Sequence, residues 1–417
     1  MSAAPTPPPP TPSLPPTPSL SPEAAAEWDA FLRLFWHPVT RVVDVGETGV
    51  TGARVLGTDL AVARLPAGDT AATGDAATTT EAGDRWVAYA DRCPHRSARL
   101  SVGTAEPDGL RCAYHGWRFG PDGACNEIPS MPGSAISSSA CTTSFRVAEA
   151  HGLVWVLLDD RLDPPIPPCP ALDAPDSPDT RVLVPTPYTW PVGAPRRVEN
   201  FTDLAHFAFI HDGSIGRRDV PVPPLPEIVR SKGQMAFRYD PPEFAADPTA
   251  MFGVSAYTVT MPLTVNIEFF MADGKRRTLW MAACPVELGV TTSFWAMGRN
   301  DELDPSFDDA HIEFQEQILT EDEPVVCNQV PPEMVLTPGA EVSVKTDRVS
   351  IAYRRWLGEL LAHFSHGGDG AGDGAGVDVD VDGLRATLAV EGSAFSAVSS
   401  SSVASGSAAA PSTLAPG

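Results

Sequence analysis

The sequence predicts an α+β protein in which a small all-β domain is followed by a domain of antiparallel sheet and helices. Between residues 41 and 158, short β-type runs alternate with turn residues, a pattern typical of small all-β domains. From about residue 181 onward, longer runs form a β-meander that is followed by helix-like segments. A proline-dense stretch separates the two regions, and 417 residues suffice for two domains with their own cores.

Composition divides the chain into five segments. We expect a disordered Pro-rich segment at 1–25, an all-β domain at 26–162, a linker at 163–180, an α+β domain at 181–365 and a disordered Gly/Asp/Ser/Ala tail at 366–417. The two ends are predicted to be disordered because their composition cannot bury enough apolar surface to fold. The Gly-, Ala- and Thr-rich stretch from Ala67 to Asp84 is predicted to be a long hairpin loop.

The predicted elements follow in chain order. Strands of the first domain are runs of β-branched, aromatic and other apolar residues between turn signals: Val42–Val45, Leu60–Leu65, Trp86–Tyr89, Phe145–Val147 and Leu153–Leu158. The second domain opens with a predicted helix at Asn200–His211. The meander comprises Ser255–Met261, Thr264–Met271, Thr278–Pro285 and Val290–Met297, with hairpin turns at Asp273-Gly274 and Leu288-Gly289. Helices predicted at Phe307–Leu319 and Val349–Leu361 complete it.

Charge and hydropathy exclude two classes of partner. A formal net charge of −24 argues against nucleic acid, whose phosphates are neutralised by Lys and Arg. The longest apolar run, Gly152–Leu158, is far too short to span a bilayer, so no membrane segment is expected. Because secretory and transit signals need basic residues and none precedes Arg33, the expected location is cytoplasmic. The scattered cysteines outside the motif described next fit a reducing compartment.

Two short motifs in the first domain predict an iron–sulfur cluster. Cys93-x-His95 is followed, after sixteen intervening residues, by Cys112-x-x-His115. If the two segments are neighbouring loop tips, both thiolates can bind one iron and both imidazoles the other, which is the ligation of a Rieske [2Fe–2S] cluster. A structural zinc site is the alternative, but such sites usually group Cys with Cys and His with His.

A second constellation predicts a mononuclear metal site. The segment from Glu199 to His211 contains two imidazoles, His206 and His211, with Asp203 three residues before the first. Two His and one carboxylate on one face of Fe(II) leave positions open for O2 and substrate chemistry. Because residues five apart do not share a helix face, a distortion or helix end near His211 is required. The third ligand must be an Asp or Glu further along, and Glu321, Asp322 and Glu323 are the candidates.

Several motifs together resemble the α-subunits of Rieske non-haem iron oxygenases over roughly residues 30–362, and within them the bacterial methylxanthine N-demethylases, especially the N3 type. The motifs are Phe35-Trp36-His37-Pro38, Asp91-Arg92-Cys93-Pro94-His95-Arg96-Ser97-Ala98, Tyr114-His115-Gly116-Trp117-Arg118, Glu199-Asn200-Phe201-Thr202-Asp203, His206-Phe207-Ala208-Phe209 and Glu321-Asp322-Glu323-Pro324-Val325-Val326. The resemblance implies a Rieske β-domain followed by a helix-grip catalytic domain.

The resemblance also implies roles for individual residues. His206, His211 and Asp322 would bind Fe(II), and Glu321 and Glu323 would then be exposed acids at a helix end. Asp203 would bridge His206 to the cluster ligand His115 of a neighbouring subunit in a head-to-tail homotrimer or a related hetero-oligomer. Asn200 would lie near the iron and support its ligands.

The predicted function is the hydroxylation, with O2, of an N-methyl group on a methylxanthine-like heteroaromatic, which releases formaldehyde. Electrons would come from an external NAD(P)H-dependent reductase, because the sequence lacks flavin, nicotinamide and plant-type ferredoxin signatures. An O-demethylase or ring-hydroxylating oxygenase of aromatic compound metabolism is the alternative, and a Rieske electron carrier without a second iron is a further one. Candidate walls of the substrate pocket are Phe270, Leu279, Phe294 and Trp295, although core packing explains each of them too.

Overall fold

The computed structural model describes residues 20–67, 78–79, 84–172, 179–231, 233–240, 254–271 and 274–366. The segments at 1–19 and 367–417, most of the loop predicted at 67–84 and part of the linker predicted at 163–180 lie outside the described residues. Helix α1, Pro22–Leu32, begins inside the segment predicted to be disordered, so the boundary predicted at residue 25 is too late. Ser21 caps this helix by accepting a hydrogen bond from the N–H of Ala24, and Pro22 fits its first turn.

The first domain is all-β, as predicted, and contains two antiparallel sheets. Its strands are β1 Trp36–Arg41, β2 Val50–Val55, β3 Thr58–Leu65, β4 Thr78–Thr79, β5 Arg85–Ala90, β6 Thr104–Glu106, β7 Gly109–Arg111, β8 Arg118–Phe119, β9 Cys125–Glu127, β10 Ser144–Ala150 and β11 Leu153–Leu157. The larger sheet has the order β1-β11-β10-β5-β3-β2 with β4 beside β5, and the smaller one has the order β6-β7-β8-β9. The smaller sheet was not predicted because strands of two or three residues carry no readable alternation.

One predicted strand of the first domain is wrong. Val42–Val45 is mostly a 3₁₀ turn, Val42–Asp44, and the strand lies just before it at Trp36–Arg41. The guanidinium of Arg41 donates two hydrogen bonds, of 2.7 and 2.6 Å, to the carboxylate of Asp44. This contact closes the turn and ends the strand.

The second domain is an antiparallel sheet packed by helices, which confirms the predicted α+β class. Its strands are β12 Arg181–Leu183, β13 Tyr188–Trp190, β14 Ile228–Ser231, β15 Gln234–Tyr239, β16 Val254–Thr260, β17 Thr264–Phe270, β18 Arg276–Glu287 and β19 Val290–Arg299. The sheet order is β12-β19-β18-β17-β16-β15-β14, with β13 also beside β19. The helices are α2 Ala194–Thr202, α3 Phe207–Ile210, α4 Asp308–Val326 and α5 Arg348–His366, and 3₁₀ turns lie at Pro305–Phe307 and Lys345–Asp347.

The helix predicted at Asn200–His211 is two helices with a break between them. Asp203 leaves α2 in an extended conformation, with φ −73° and ψ 133°. Its Oδ1 accepts a hydrogen bond of 2.8 Å from the N–H of Ala205, a local bond that competes with helical hydrogen bonding. His206 then caps the start of α3, and His211 caps its end. The helix end that the sequence requires near His211 is therefore present, because α3 ends there. The break at Asp203, before the first histidine, is a further one that was not predicted.

Helix α4 is longer than predicted. It continues past Leu319, through Pro324, to Val326. A proline inside a helix removes one hydrogen bond and usually marks the end of a predicted helix, although this helix continues beyond it. Glu321, Asp322 and Glu323 consequently lie within the last two turns of α4 and not after its end.

The two domains are packed against each other through one hydrophobic core. Trp155 on β11 meets Trp280 on β18 edge to face, with ring centroids 6.1 Å apart. Phe31 on α1 meets Phe364 on α5 in the same way at 5.9 Å. Backbone hydrogen bonds of 2.8 Å also join the β2–β3 turn to β18. In the part of the chain that the structure describes, no helix is long and apolar enough to cross a membrane.

Candidate iron centres

The predicted cluster ligands lie on two adjacent loops of the first domain. One loop follows β5 and carries Cys93 and His95, and the other follows β7 and carries Cys112 and His115. The two loops have the same backbone hydrogen bonds. In each loop the N–H of the cysteine donates one bond and its carbonyl oxygen accepts another, at 2.8 to 3.1 Å. The imidazole rings of His95 and His115 are 4.5 Å apart, and both cysteines are buried. The structure thus brings all four residues to one place.

The side chains at the loop tips fit a bound cluster. Nδ1 of His95 is buried and has no hydrogen-bond partner among the described residues. Its ring stacks on Trp117, with centroids 4.6 Å apart and planes 4° from parallel. Burial, together with the nearby thiol of Cys112, raises the pKa of the Cys93 thiol, because the two sulfur atoms lie close together. Two clustered thiols beside two imidazoles, one of which has a buried nitrogen without a partner among the described residues, match the donor set of a Rieske cluster.

The cluster site is open on its histidine side. Cys93 and Cys112 face the core of the first domain, whereas His115 is exposed. Tyr114 is 64% exposed, and its ring lies against His115 with centroids 3.9 Å apart. A cluster held by these four residues would therefore lie nearest to the protein surface at its two histidines.

The second predicted constellation converges at the break between α2 and α3. His206 Nε2 lies 3.2 Å from His211 Nε2, and each of these atoms lies 3.5 Å from Oδ1 of Asp322. Ligand atoms that surround one ion at about 2.0–2.2 Å are separated by distances of this size. Two imidazoles and a carboxylate on one face match the donor set of non-haem Fe(II) sites. The sequence offered three neighbouring acids as the third ligand. Of these, Asp322 is the acid that lies beside both histidines.

Glu321, which was expected to be an exposed acid at a helix end, is in contact with a histidine. Its Oε2 accepts a hydrogen bond of 2.8 Å from Nδ1 of His211 and another of 2.7 Å from the hydroxyl of Ser214. A carboxylate can only accept, so Nδ1 of His211 carries the proton and its Nε2 is free to bind a metal. Glu323, in contrast, is exposed, as expected.

Asn200 and Arg197 lie behind Asp322. Nδ2 of Asn200 donates a hydrogen bond of 3.2 Å to Oδ1 of Asp322, so Asn200 lies next to the converging residues. Arg197, one helical turn earlier, donates to Oδ1 of Asn200 and is fully buried. Arg197 was not predicted to belong to the site, because a sequence does not show which side of a short helix faces a buried carboxylate.

Asp203 lies on the other side of His206. Its Oδ2 is 3.5 Å from Nδ1 of His206, and this buried nitrogen makes no hydrogen bond of good geometry with any described residue. Burial raises the pKa of Asp203, but the neighbouring imidazole and the N–H of Ala205 outweigh burial and lower the pKa overall. Asp203 is therefore a carboxylate that can accept a bond from His206 after a small movement.

Burial and neighbouring polar groups also have opposite effects on the pKa values of Asp322 and His211. Burial raises the pKa of Asp322, but the hydrogen bond with His211 and the charges of His206 and Arg197 lower it overall. Burial opposes protonation of His211, but hydrogen bonds with Asp322 and Glu321 raise its pKa overall. The carboxylates thus stay ionised and create a site that attracts a cation.

A cavity of about 730 Å³, counted with its open mouth, lies above the three converging residues. Most of its wall is apolar or aromatic. The lining residues are Asn200, Phe201, His206, Phe207, His211, Ile215, Tyr239, Ser255, Tyr257, Ile267, Phe269, Leu279, Gln315, Ile318, Leu319 and Asp322. A small, flat, apolar molecule would fit such a cavity with a reactive group at the metal.

One of the four proposed wall residues lines this cavity. Leu279 does, whereas Phe294 and Trp295 are buried in the core. Phe270 is also outside the lining, and its neighbour Phe269 is inside it. Because successive residues of a strand face opposite sides, Ile267 and Phe269 of β17 point to the cavity and Phe270 points away.

Two protein families match the chain. The Rieske [2Fe-2S] domain matches residues 35–145, and the vanillate O-demethylase oxygenase C-terminal domain matches residues 191–363. The methylxanthine N1-demethylase NdmA of Pseudomonas putida is 37% identical over 338 residues, which cover 79% of the chain and 89% of the relative. The chain belongs to the Rieske non-haem iron oxygenases. As an oxygenase of this family it uses a [2Fe–2S] cluster and a mononuclear iron, as predicted.

Solved structures agree with this assignment. The structure of NdmA with caffeine superposes on this oxygenase with a TM-score of 0.74 at 35% identity, over 87% of the chain and 96% of NdmA. The methylxanthine N3-demethylase NdmB of the same organism is 36% identical over 343 residues. These identities are nearly equal, so they do not separate N1 from N3 relatives. Dicamba monooxygenase, 20% identical with a TM-score of 0.62, shares the fold.

Proposed function

We propose that this oxygenase removes an N-methyl group from a heteroaromatic substrate of the methylxanthine class. In this proposal Cys93, His95, Cys112 and His115 hold the cluster, and His206, His211 and Asp322 hold the iron. The observation that carries the proposal is the convergence of those three residues at the base of a largely apolar cavity. Their donor set is that of an Fe(II) site with open positions.

The reaction balances with one O2 and two electrons. One oxygen atom enters a C–H bond of the methyl group, and the other leaves as water with two protons. The N–CH2OH product then breaks its C–N bond, the hydroxyl proton returns to nitrogen, and formaldehyde departs. The iron, when bound, supplies the activation of O2. The residues of the chain hold the substrate, exclude water and orient the ligands.

The cavity supports a flat heteroaromatic substrate. Phe201, Phe207 and Phe269 give it an aromatic wall, and Gln315 on α4 contributes an amide group to the lining. An amide can donate to a ring nitrogen and accept from a ring N–H. Such a group would orient a purine-like ring and leave a methyl group toward His206 and His211.

Electrons would reach the iron from another subunit. Asp203 is an ionised carboxylate next to His206, and the cavity beside it, of about 790 Å³ counted with its open mouth, opens between Asp203 and Arg354. We place His115 of the partner subunit at this opening, in a head-to-tail trimer. Exposed Tyr114 and exposed His115 at the cluster tip fit such a contact. An NAD(P)H-dependent reductase would supply the electrons to the cluster.

O-demethylation of a methoxy-aromatic is the second candidate. The family match over residues 191–363 is to a vanillate O-demethylase domain, which favours it. The same chemistry at an O–CH3 group would also release formaldehyde, so the identity of the demethylated product has to decide between the two.

The test is a turnover assay with a compatible reductase, NADH or NADPH, and two substrate panels. Methylxanthines such as caffeine form one panel, and methoxybenzoates such as vanillate form the other. We expect equal amounts of formaldehyde and N-demethylated xanthine from the first panel only. Asp322→Asn should abolish turnover while the visible absorption of the cluster persists, and the exposed control Glu323→Gln should retain activity. Turnover of the methoxy panel alone would overturn N-demethylation but leave the oxygenase assignment intact.

A further inference from the structure

Arg197 is a buried cation that has no direct contact with a carboxylate among the described residues. Its side chain is fully buried on α2, and no carboxylate among the described residues forms an ion pair with it. Arg196 beside it, which is 2% exposed, pairs with Glu341 at 2.7 Å. Burying an unpaired charge is costly unless other groups compensate for it. The groups in contact with Arg197 must therefore compensate for its buried charge, and they indicate its role.

Three aromatic side chains hold the guanidinium in one orientation, and the hydroxyl of one of them also accepts a hydrogen bond from it. Its central carbon lies 4.7 Å from the ring centre of Trp190, 5.0 Å from that of Phe201 and 5.6 Å from that of Tyr188. Nη2 donates a hydrogen bond of 2.5 Å to the hydroxyl of Tyr188. Aromatic faces stabilise a buried cation, and the bond to Tyr188 fixes the rotation of its plane.

The remaining arm of the guanidinium determines how the amide of Asn200 is oriented. Nη1 of Arg197 donates to Oδ1 of Asn200. Because a guanidinium has donors only, the oxygen of that amide must face Arg197 and its NH2 group must face the other way. The NH2 group donates to Oδ1 of Asp322, the oxygen that lies 3.5 Å from both histidine nitrogens.

We propose that Arg197 is a positioning residue of the mononuclear iron site, which acts through Asn200 to hold Oδ1 of Asp322 toward the metal. The inference rests on the proposed function in one respect, namely that His206, His211 and Asp322 bind the iron. Arg197 can do this because its guanidinium has two separate N–H arms, one for Tyr188 and one for Asn200. A lysine would keep the charge, but its single nitrogen cannot hold Tyr188 and Asn200 in the same plane.

The test is metal affinity, measured on protein that retains its cluster but has been depleted of mononuclear iron. Co(II) serves as the probe, because its binding is followed by absorption as well as by titration. Arg197→Lys should weaken Co(II) binding about tenfold and alter the Co(II) absorption bands, as loss of a partner that orients a metal ligand does. Arg196→Lys, a matched change at the neighbouring buried arginine, should leave Co(II) binding within about twofold of wild type.

A double-mutant cycle tests whether Arg197 affects the metal site through Asn200. In an Asn200→Ala background, Arg197→Lys should change the affinity for Co(II) by less than about twofold, because the residue through which it acts is absent. An equal loss in both backgrounds would show that Arg197 acts through general packing and would overturn the inference. Unchanged affinity in the single Arg197→Lys variant would overturn it as well.

Two further measurements keep the inference separate from the proposed function and from misfolding. The proposed iron site requires that wild-type protein binds Co(II) and that Asp322→Asn abolishes this binding. If either result is not obtained, the proposed iron site itself is wrong. If Arg197→Lys does not yield folded protein with a normal cluster spectrum, Tyr188→Phe is the second variant. It removes the hydrogen bond between the guanidinium and Tyr188 with a smaller loss of folding stability. That variant should weaken Co(II) binding about threefold, and only when Asn200 is present. A loss that also occurs without Asn200, or no loss at all, would overturn the inference.

Discussion

Glu321 and Glu323 lie on the same turn of α4, but only Glu321 reaches the metal-binding residues. Its carboxylate accepts a hydrogen bond from the Nδ1–H group of His211 and so fixes the tautomer of that ring. Glu321→Gln keeps the size of the side chain and removes the negative charge that strengthens this hydrogen bond. We expect Glu321→Gln to weaken Co(II) binding at the mononuclear site about tenfold, measured by absorption titration.

Glu323→Gln is the matched control for this prediction. It makes the same chemical change two residues away on an exposed side chain, so Co(II) affinity should be unaltered. Equal losses in both variants would indicate a long-range charge effect. In that case the hydrogen bond to His211 would not be the cause.

Single residues of the site differ in how far sequence alone predicts them. The cluster ligands follow from spacing, because each half of the motif is local and complete within three or four residues. Asp322 could be chosen from three neighbouring acids only by resemblance. The roles of Glu321 and Arg197 depend on contacts with His211 and Asn200 that only the folded chain reveals, since Glu321 is 110 residues away from His211.

At the scale of elements, the site depends on the short α3 helix and the turn that follows it. Gly216 closes this turn, since its N–H donates a hydrogen bond of 2.9 Å to the carbonyl oxygen of His211. A Cβ at Gly216 would lie 1.9 Å from the carbonyl oxygen of Phe207. That oxygen accepts the N–H of His211, so a side chain at Gly216 must displace the helix that holds both histidines.

We therefore expect Gly216→Ala to lower the thermal stability, as overpacking by about 1–3 kcal/mol does, and to weaken Co(II) binding at least tenfold. Gly213→Asn is the control in the same turn. A Cβ at Gly213 meets nothing within 4 Å, and asparagine is among the residues least strained at a positive φ such as the +89° found there. If Gly216→Ala retained normal Co(II) affinity, the position of α3 would not depend on this close contact.

Elements were predicted best where the pattern is long. The meander from β16 to β19 was recognised because each strand has at least seven residues between clear turns. The break at Asp203 was missed because Asp203–Leu204–Ala205 contains no Gly or Pro, and a side-chain hydrogen bond ends the helix instead. The opposite error was made at Pro324, where a local rule ends the predicted helix. Helix α4 continues to Val326, whose side chain packs with Trp190, Val192 and Leu319.

At the scale of the whole molecule, the two domains predicted as separate units share a core, and His37 lies at their junction. His37 is on β1 and is 1% exposed, and its Nε2 donates a hydrogen bond of 2.8 Å to the carbonyl oxygen of Leu32 at the end of α1. The cavity beside it is also lined by Met261, Pro262 and Leu263 of the second domain. The composition of the chain predicted two domains but gave no sign of this packing.

Protonation of His37 should loosen this junction in acid. Burial, reinforced by the charge of Arg33 and opposed by the bond to Leu32, lowers the pKa of His37 to about 4 from the usual value of 6.5. The unfolded chain therefore binds a proton at a higher pH than the folded protein does. The stability that depends on a neutral His37 is complete above pH 6.5 and is lost as the pH falls toward 4, a loss of about 3 kcal/mol in total and about 2 kcal/mol by pH 5.

His37→Gln tests this assignment, since glutamine can donate to Leu32 but does not titrate. The variant is expected to be less stable at neutral pH, because the cavity beside β1 is then filled less well. Between pH 7.5 and pH 5, however, the melting temperature of the wild type should fall by a few degrees more than that of His37→Gln. The carboxylates with lowered pKa, such as Asp308, destabilise both proteins equally in acid and cancel in this difference. Parallel decline of the two melting temperatures would assign the acid sensitivity to those carboxylates and not to the domain junction.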